Sequence, residues 1–229
     1  LGFRLALRQI SLPPTDLSFS QGFKIARMLK DINTDSTSLP LTNFVSYKGE
    51  VYFYADNHTQ GAELWKTNGT NDGTVMVKDI HSGFDGSFPL HFKEFNGMLY
   101  FSAWSNDGVE LWKTDGTSNG TVMVKDIYTG TGIENSSYPE HFTEFNGSLY
   151  FSAANANDNW SRNLWKTDGT SEGTILVKDL PGGLGILDNN FDSKPYGFNI
   201  LHNELFFGYF GTLWKTNGTS VGTVEVHSD

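Results

Sequence analysis

The phrase Leu-Trp-Lys-Thr-(Asn/Asp)-Gly-Thr occurs four times, at Leu64–Thr70, Leu111–Thr117, Leu164–Thr170 and Leu213–Thr219. Its tryptophans, Trp65, Trp112, Trp165 and Trp214, recur at steps of 47, 53 and 49 residues. A period of this size, built from short apolar runs and glycine turns, restricts the chain to stacked β units such as propeller blades. One unit repeated through most of 229 residues implies one domain.

Aligning the copies yields a four-strand unit. The first strand is Phe44–Tyr47, Phe92–Phe95, Phe142–Phe145 and Phe198–Leu201, and each copy runs into a tight turn: Lys48-Gly49, Asn96-Gly97, Asn146-Gly147 or His202-Asn203. Asn-Gly suits a type I′ hairpin because both central residues need positive φ. The second strand follows at once as Val51–Tyr54, Leu99–Ser102, Leu149–Ser152 and Leu205–Gly208. The third carries the Leu-Trp-Lys-Thr phrase, and the fourth is Val75–Ile80, Val122–Ile127, Ile175–Leu180 and Val224–His227. Helical periodicity is absent, so the fold class is all-β. The expected architecture is a β-propeller of four antiparallel four-stranded blades, at roughly 41–80, 88–127, 138–180 and 195–228. A further fourth-strand copy at Ile25–Ile32 precedes them. A closed ring is favoured; an open arc, with blade faces left to pair with another chain, is the alternative.

Near-continuous apolar runs such as Leu99-Tyr100-Phe101 require burial on both faces, which places the repeated tryptophans between blades. The recurring Lys and Asp, as in Lys78-Asp79 and Lys125-Asp126, read as structural because a catalytic residue would be needed only once.

The stretches Glu110–Ile127 (ELWKTDGTSNGTVMVKDI) and Asn163–Leu180 (NLWKTDGTSEGTILVKDL) resemble the bacterial repeat family named for its ELWxxDGT signature. The resemblance covers about residues 28–229 and implies propellers in large secreted or surface proteins, with no catalytic assignment. Asn68 and Asn217 replace the motif Asp, Asn163 and Thr212 replace its Glu, and the last strand ends irregularly at His227-Ser228-Asp229. Leu1–Arg8 (LGFRLALR) resembles the C-terminal end of formylglycine-generating-enzyme-like domains, which would make residues 1–20 a domain tail and linker before a propeller at 21–229. Leu1 in place of Met is read as the start of a processed or excised segment.

Composition excludes several classes. With 16 Lys plus Arg against 26 Asp plus Glu, a net charge of −10 repels phosphate backbones, so nucleic acid is not an expected partner. Zero cysteines remove disulfides, thiolate catalysis and Cys-built zinc sites. No window is long and apolar enough to insert in a membrane.

The loops between blades and between second and third strands vary, and they should emerge on one face, the expected recognition surface. Trp104, Trp160 and Tyr209 lie there outside the repeat pattern, as candidates to stack on a sugar or anchor a protein interface. Asp85, Asp158, Asp188 and Asp192 supply the oxygens that a structural Ca²⁺ would need, although no EF-hand or glycine-rich Ca²⁺ repeat is present; no other cofactor is expected. His91 and His141 hold equivalent positions, matched by Asn43 and Gly197 in the other copies, and could face a central channel. The expected function is a non-catalytic bacterial module, secreted or on the cell surface, for adhesion, protein interaction or self-assembly. A lectin-like propeller and an enzyme with its site at the channel mouth are the alternatives.

Overall fold

The computed structural model describes residues 28–33, 43–156, 162–181 and 194–226. Among these, every regular element is a strand. The first sheet contains β1 (Val45–Tyr47), β2 (Glu50–Asp56), β3 (Ala62–Thr67) and β4 (Val75–Lys78). The second contains β5 (Leu90–Phe95), β6 (Met98–Ser105), β7 (Gly108–Thr114) and β8 (Val122–Lys125). The third contains β9 (Glu140–Phe145), β10 (Ser148–Ala154), β11 (Arg162–Thr167) and β12 (Ile175–Lys178). The fourth contains β13 (Tyr196–Leu201), β14 (Glu204–Tyr209), β15 (Thr212–Thr216) and β16 (Val224–Glu225). Each sheet is an antiparallel meander in chain order, so the chain is an all-β, propeller-like stack of four blades.

Local chemistry sets the strand limits. Both central residues of the first hairpin turns have positive φ, 48° and 72° at Asn96-Gly97 and 49° and 62° at His202-Asn203, as a type I′ turn requires. The Asp-Gly-Thr turn is a closed hydrogen-bond circuit. Asp115 Oδ1 accepts from the Thr117 amide at 2.8 Å and hydroxyl at 2.7 Å, and the Gly120 amide donates to Thr117 Oγ1 at 2.9 Å. The Thr114 and Thr121 hydroxyls, 2.7 Å apart, close its base. Asn68 and Asn217 build the same circuit, accepting from Thr70 and Thr219 at 2.7–3.0 Å.

Blades stack through two unlike faces. In the first interface the trailing face of blade 1 (Tyr47, Tyr52, Leu64, Val77) meets the leading face of blade 2 (Leu99, Phe101, Ala103, Trp112). The same positions recur between blades 2 and 3 and between blades 3 and 4. All four repeated tryptophans are buried. Each buried large apolar side chain contributes about 1.5–3 kcal/mol, so these three interfaces carry most of the stability.

Polar ties follow the same direction. Lys78 Nζ donates to the Thr121 carbonyl of the next blade at 2.8 Å, and Lys125 to that of Thr174 at 2.8 Å. Lys30 performs this duty ahead of blade 1, donating to the Thr74 carbonyl at 2.7 Å, and Ile32 packs on Phe53, Ala55 and Trp65. Residues 28–33 are not in a strand, yet they occupy the fourth-strand place of a preceding blade.

The stack is continuous from Ile32 to blade 4, and among the described residues no hydrophobic cluster joins blade 4 to blade 1. On the trailing face of blade 4, Leu213 is 49% exposed and Leu201 55%, whereas their counterparts Leu64, Leu111, Leu164, Tyr47, Phe95 and Phe145 are buried.

Candidate functional site

Buried acids of the repeat hold the variable loops against the blades. Glu110, fully buried, accepts from the Ile127 amide at 2.9 Å, the Ser137 amide at 2.9 Å and the Ser137 hydroxyl at 2.5 Å. Glu63 does likewise with the Ile80 amide at 2.9 Å and the Ser87 hydroxyl at 2.5 Å. In blade 3 the neutral Asn163 accepts from the Leu180 amide at 2.8 Å. Burial pushes both glutamates up to about 7, against the opposing pull of these donors. The two kinds of variable loop are tied together at one end of the stack: Trp104 N donates to Ser87 O at 2.8 Å, Gly132 N to Asn106 O at 2.8 Å, and Ala154 N to Ser137 O at 2.8 Å.

At this end a cavity of about 250 Å³ opens between blades 2 and 3, with Phe88, Trp104 and Ile133 among its apolar walls and His91, Glu140 and Arg162 among its polar groups. Glu140 is nearly buried. It forms ion pairs with Arg162 and, at 2.7 Å, with Lys194 Nζ, and lies 3.9 Å from His91 Nε2 and 3.8 Å from His141 Nε2. Arg162 also lies over the Tyr138 ring, 5.5 Å from its centroid.

His91 and His141 have φ of 59° and 60°, matched by 59° at Asn43 and 65° at Gly197. In blades 2, 3 and 4 this conformation falls at a bulge near the start of the first strand, which takes the residue out of the ladder, and the two imidazoles come to one carboxylate. Burial lowers the pKa of both, with the charges of His141, Lys194 and Arg162 adding to the effect at His91 and that of Lys194 at His141. Burial also lowers those of Arg162 and Lys194.

The sequence-derived candidates divide. Trp104 lines the cavity with its ring stacked on His81, centroids 4.3 Å apart. Tyr209 is a correction: it is buried, packs edge-on against Trp214 at 6.2 Å and Phe210 at 5.0 Å, and offers no surface for a ligand to stack on. The reason is register, since Tyr209 occupies the core position held by Ala55, Ala103 and Ala153 in the other blades. Asp85 stands on an exposed turn; Trp160, Asp158, Asp188 and Asp192 lie outside the described residues. Among the described residues no group of three or more His, Asp or Glu is spaced to hold a metal ion.

Glu140 and Arg162 are absent from the sequence-derived set, yet the repeat contained the signal. Their counterparts in blade 2 are Leu90 and Val109, so two charged residues replace apolar ones at paired positions of a single blade. Chemically, this carboxylate is paired with two cations. Among the described cavity-lining residues Glu140 is the one carboxylate.

No family model matches the chain, and no curated protein does. Among solved structures, the chain is similar to the computationally designed Ika4 protein at 11% identity and TM-score 0.45, covering 83% of this chain and 98% of that one. It is similar to puromycin hydrolase at 12% identity and TM-score 0.48, with 85% and 30% covered, so it spans less than a third of that enzyme. An endo-1,4-β-xylanase from Bacteroides thetaiotaomicron VPI-5482 matches at 9% identity and TM-score 0.43, with 84% and 74% covered. At such values nothing about activity or ligand passes from these proteins to this chain.

Proposed function

We propose that the chain is a non-catalytic recognition module of a bacterial surface or secreted protein, serving adhesion or protein interaction through its variable-loop face. The observation that carries this reading is the cavity between blades 2 and 3: apolar walls at Phe88, Trp104 and Ile133 around the Glu140–Arg162 pair. At about 250 Å³ it is smaller than the roughly 300–1,000 Å³ of small-molecule sites. It has room for one anchoring side chain or one sugar ring. An apolar anchor would meet the walls, while a polar rim group would meet Arg162, the arrangement of an interface hot spot. Trp104 supports a lectin version, in which a sugar face takes the anchor's place.

Peptide display against the chain, counter-selected with Ile133→Arg, tests the protein reading, and a glycan array tests the lectin one. Enriched peptides should share an aromatic or aliphatic anchor and lose binding to Ile133→Arg while the melting temperature of that variant is unchanged. Failure to enrich any peptide or label any glycan would overturn the proposal. So would turnover of chromogenic glycosides that disappears in Glu140→Gln.

A further inference from the structure

Among the described residues, the two ends of the blade stack are complementary and unmatched. At the trailing end, Leu201 and Leu213 are 55% and 49% exposed, Val226 is exposed and Phe206 half-buried. These are the positions of Phe145, Leu164, Val177 and Tyr150, which are buried against the next blade. At the leading end, Phe44 is 58% exposed and Val51 half-buried, although Leu99, Leu149 and Leu205, the counterparts of Val51, are fully buried.

A glycine contact identifies what is missing. Gly116, Gly169 and Gly218 are each pressed by a tyrosine hydroxyl from the preceding blade, Tyr52, Tyr100 and Tyr150 respectively. Gly69 of blade 1 has nothing within 4 Å of where a Cβ would stand. The fourth blade carries Phe206 at the tyrosine position. Residues 28–33 thus supply the fourth-strand part of a preceding blade at the leading end, while the first two strands of that blade have no equivalent among the described residues.

We propose that the trailing face of blade 4 docks on the leading face of blade 1 of a second copy of this chain, so that copies associate head to tail. The template is internal: the same pair of unlike faces packs three times within one chain. Leu213 and Leu201 of one copy replace Leu64 and Tyr47 of the first internal interface, while residues 28–33 of the receiving copy keep the fourth-strand place they already hold, so that the short Val224–Val226 end of the docking blade gives way to them. Phe44 and Val51 of the other replace Phe92 and Leu99. Such a contact is heterologous, and it forms a ring if the rotation closes or a filament if it does not.

Sedimentation velocity on the 229-residue chain across a concentration series tests the proposal, with Leu213→Arg blocking one face and Phe44→Arg the other. Both residues are largely exposed, and an unchanged circular-dichroism melting temperature verifies each fold. The wild-type mass should rise with concentration. Leu213→Arg alone should be monomeric, because it removes the trailing face from every copy. For the same reason Phe44→Arg alone should be monomeric, whereas an equimolar mixture should form dimers, since each variant retains the face the other lacks. Because every copy carries a net charge of −10, added salt should strengthen the association. A wild-type chain that stays monomeric, a Leu213→Arg chain that associates like wild type, or a mixture that stays monomeric would each overturn the proposal.

Discussion

Glu110 sets a measurable pH dependence. Its carboxyl is fully buried and raised from 4.5 to about 7 by burial, while donors from Ile127 and Ser137 oppose the shift. Between those values the folded state holds a proton that the unfolded chain has released. The stabilisation is therefore whole below pH 4.5 and lost as the pH rises through 7. From 4.5 to 7 the linkage amounts to about 3 kcal/mol, most of which falls between roughly pH 5 and 8.5. Glu110→Gln removes the titration but turns an amide NH₂ towards backbone or hydroxyl donors, costing about 1–3 kcal/mol at any pH. Urea unfolding of both proteins at the two pH values isolates this residue, because the other titrating groups cancel in the difference. The wild-type advantage over Glu110→Gln should shrink by about 2–3 kcal/mol from low to high pH. A gap that does not change with pH would refute the reasoning.

Three further outcomes are expected. Arg162→Val should cost about 3 kcal/mol by leaving Glu140 partly unpaired in a buried site; Glu140→Leu/Arg162→Val, which copies Leu90 and Val109 of blade 2, should recover most of it in chemical denaturation. Trp112→Ala should cost about 3–5 kcal/mol, because it empties an interface between blades; Trp104→Ala, which removes one cavity wall and the stack on His81, should cost about 1–2 kcal/mol by the same assay. Gly116→Ala and Gly69→Ala meet the same positive φ, 97° and 89°, but only the first collides with a tyrosine. Thermal melting should place Gly69→Ala near the roughly 1–2 kcal/mol of left-handed strain alone and Gly116→Ala clearly beyond it.

The blade plan was legible because turn chemistry and repeat length act locally. Asn96-Gly97 and Asn146-Gly147 end the first strands where expected, at Phe95 and Phe145. The fourth strands stop at Lys78, Lys125 and Lys178, two residues short of expectation, because the amides of Ile80, Ile127 and Leu180 turn to Glu63, Glu110 and Asn163 instead of a ladder partner. That competition depends on side chains seventeen residues away and is invisible to strand periodicity. The site was half legible. The histidines stood out as a departure shared by two copies, and the structure brings both to Glu140. Glu140 and Arg162 had to be read as a pair across β9 and β11, and a single-residue scan does not join them. Tyr209 misled because its loop-like neighbours hid its phase in β14.

The lysines that reach forward from Lys30, Lys78 and Lys125 into the next Asp/Asn-Gly-Thr turn make every tie one between immediate neighbours. No contact of this kind counts blades. Such a molecule resembles a row of coupled units more than a single cooperative core, and its terminal unit, supported from one side, frays before the rest. A whole blade could be inserted into or deleted from the middle of the row without altering the chemistry of any surviving junction, so length is a free variable of the design while junction geometry is fixed.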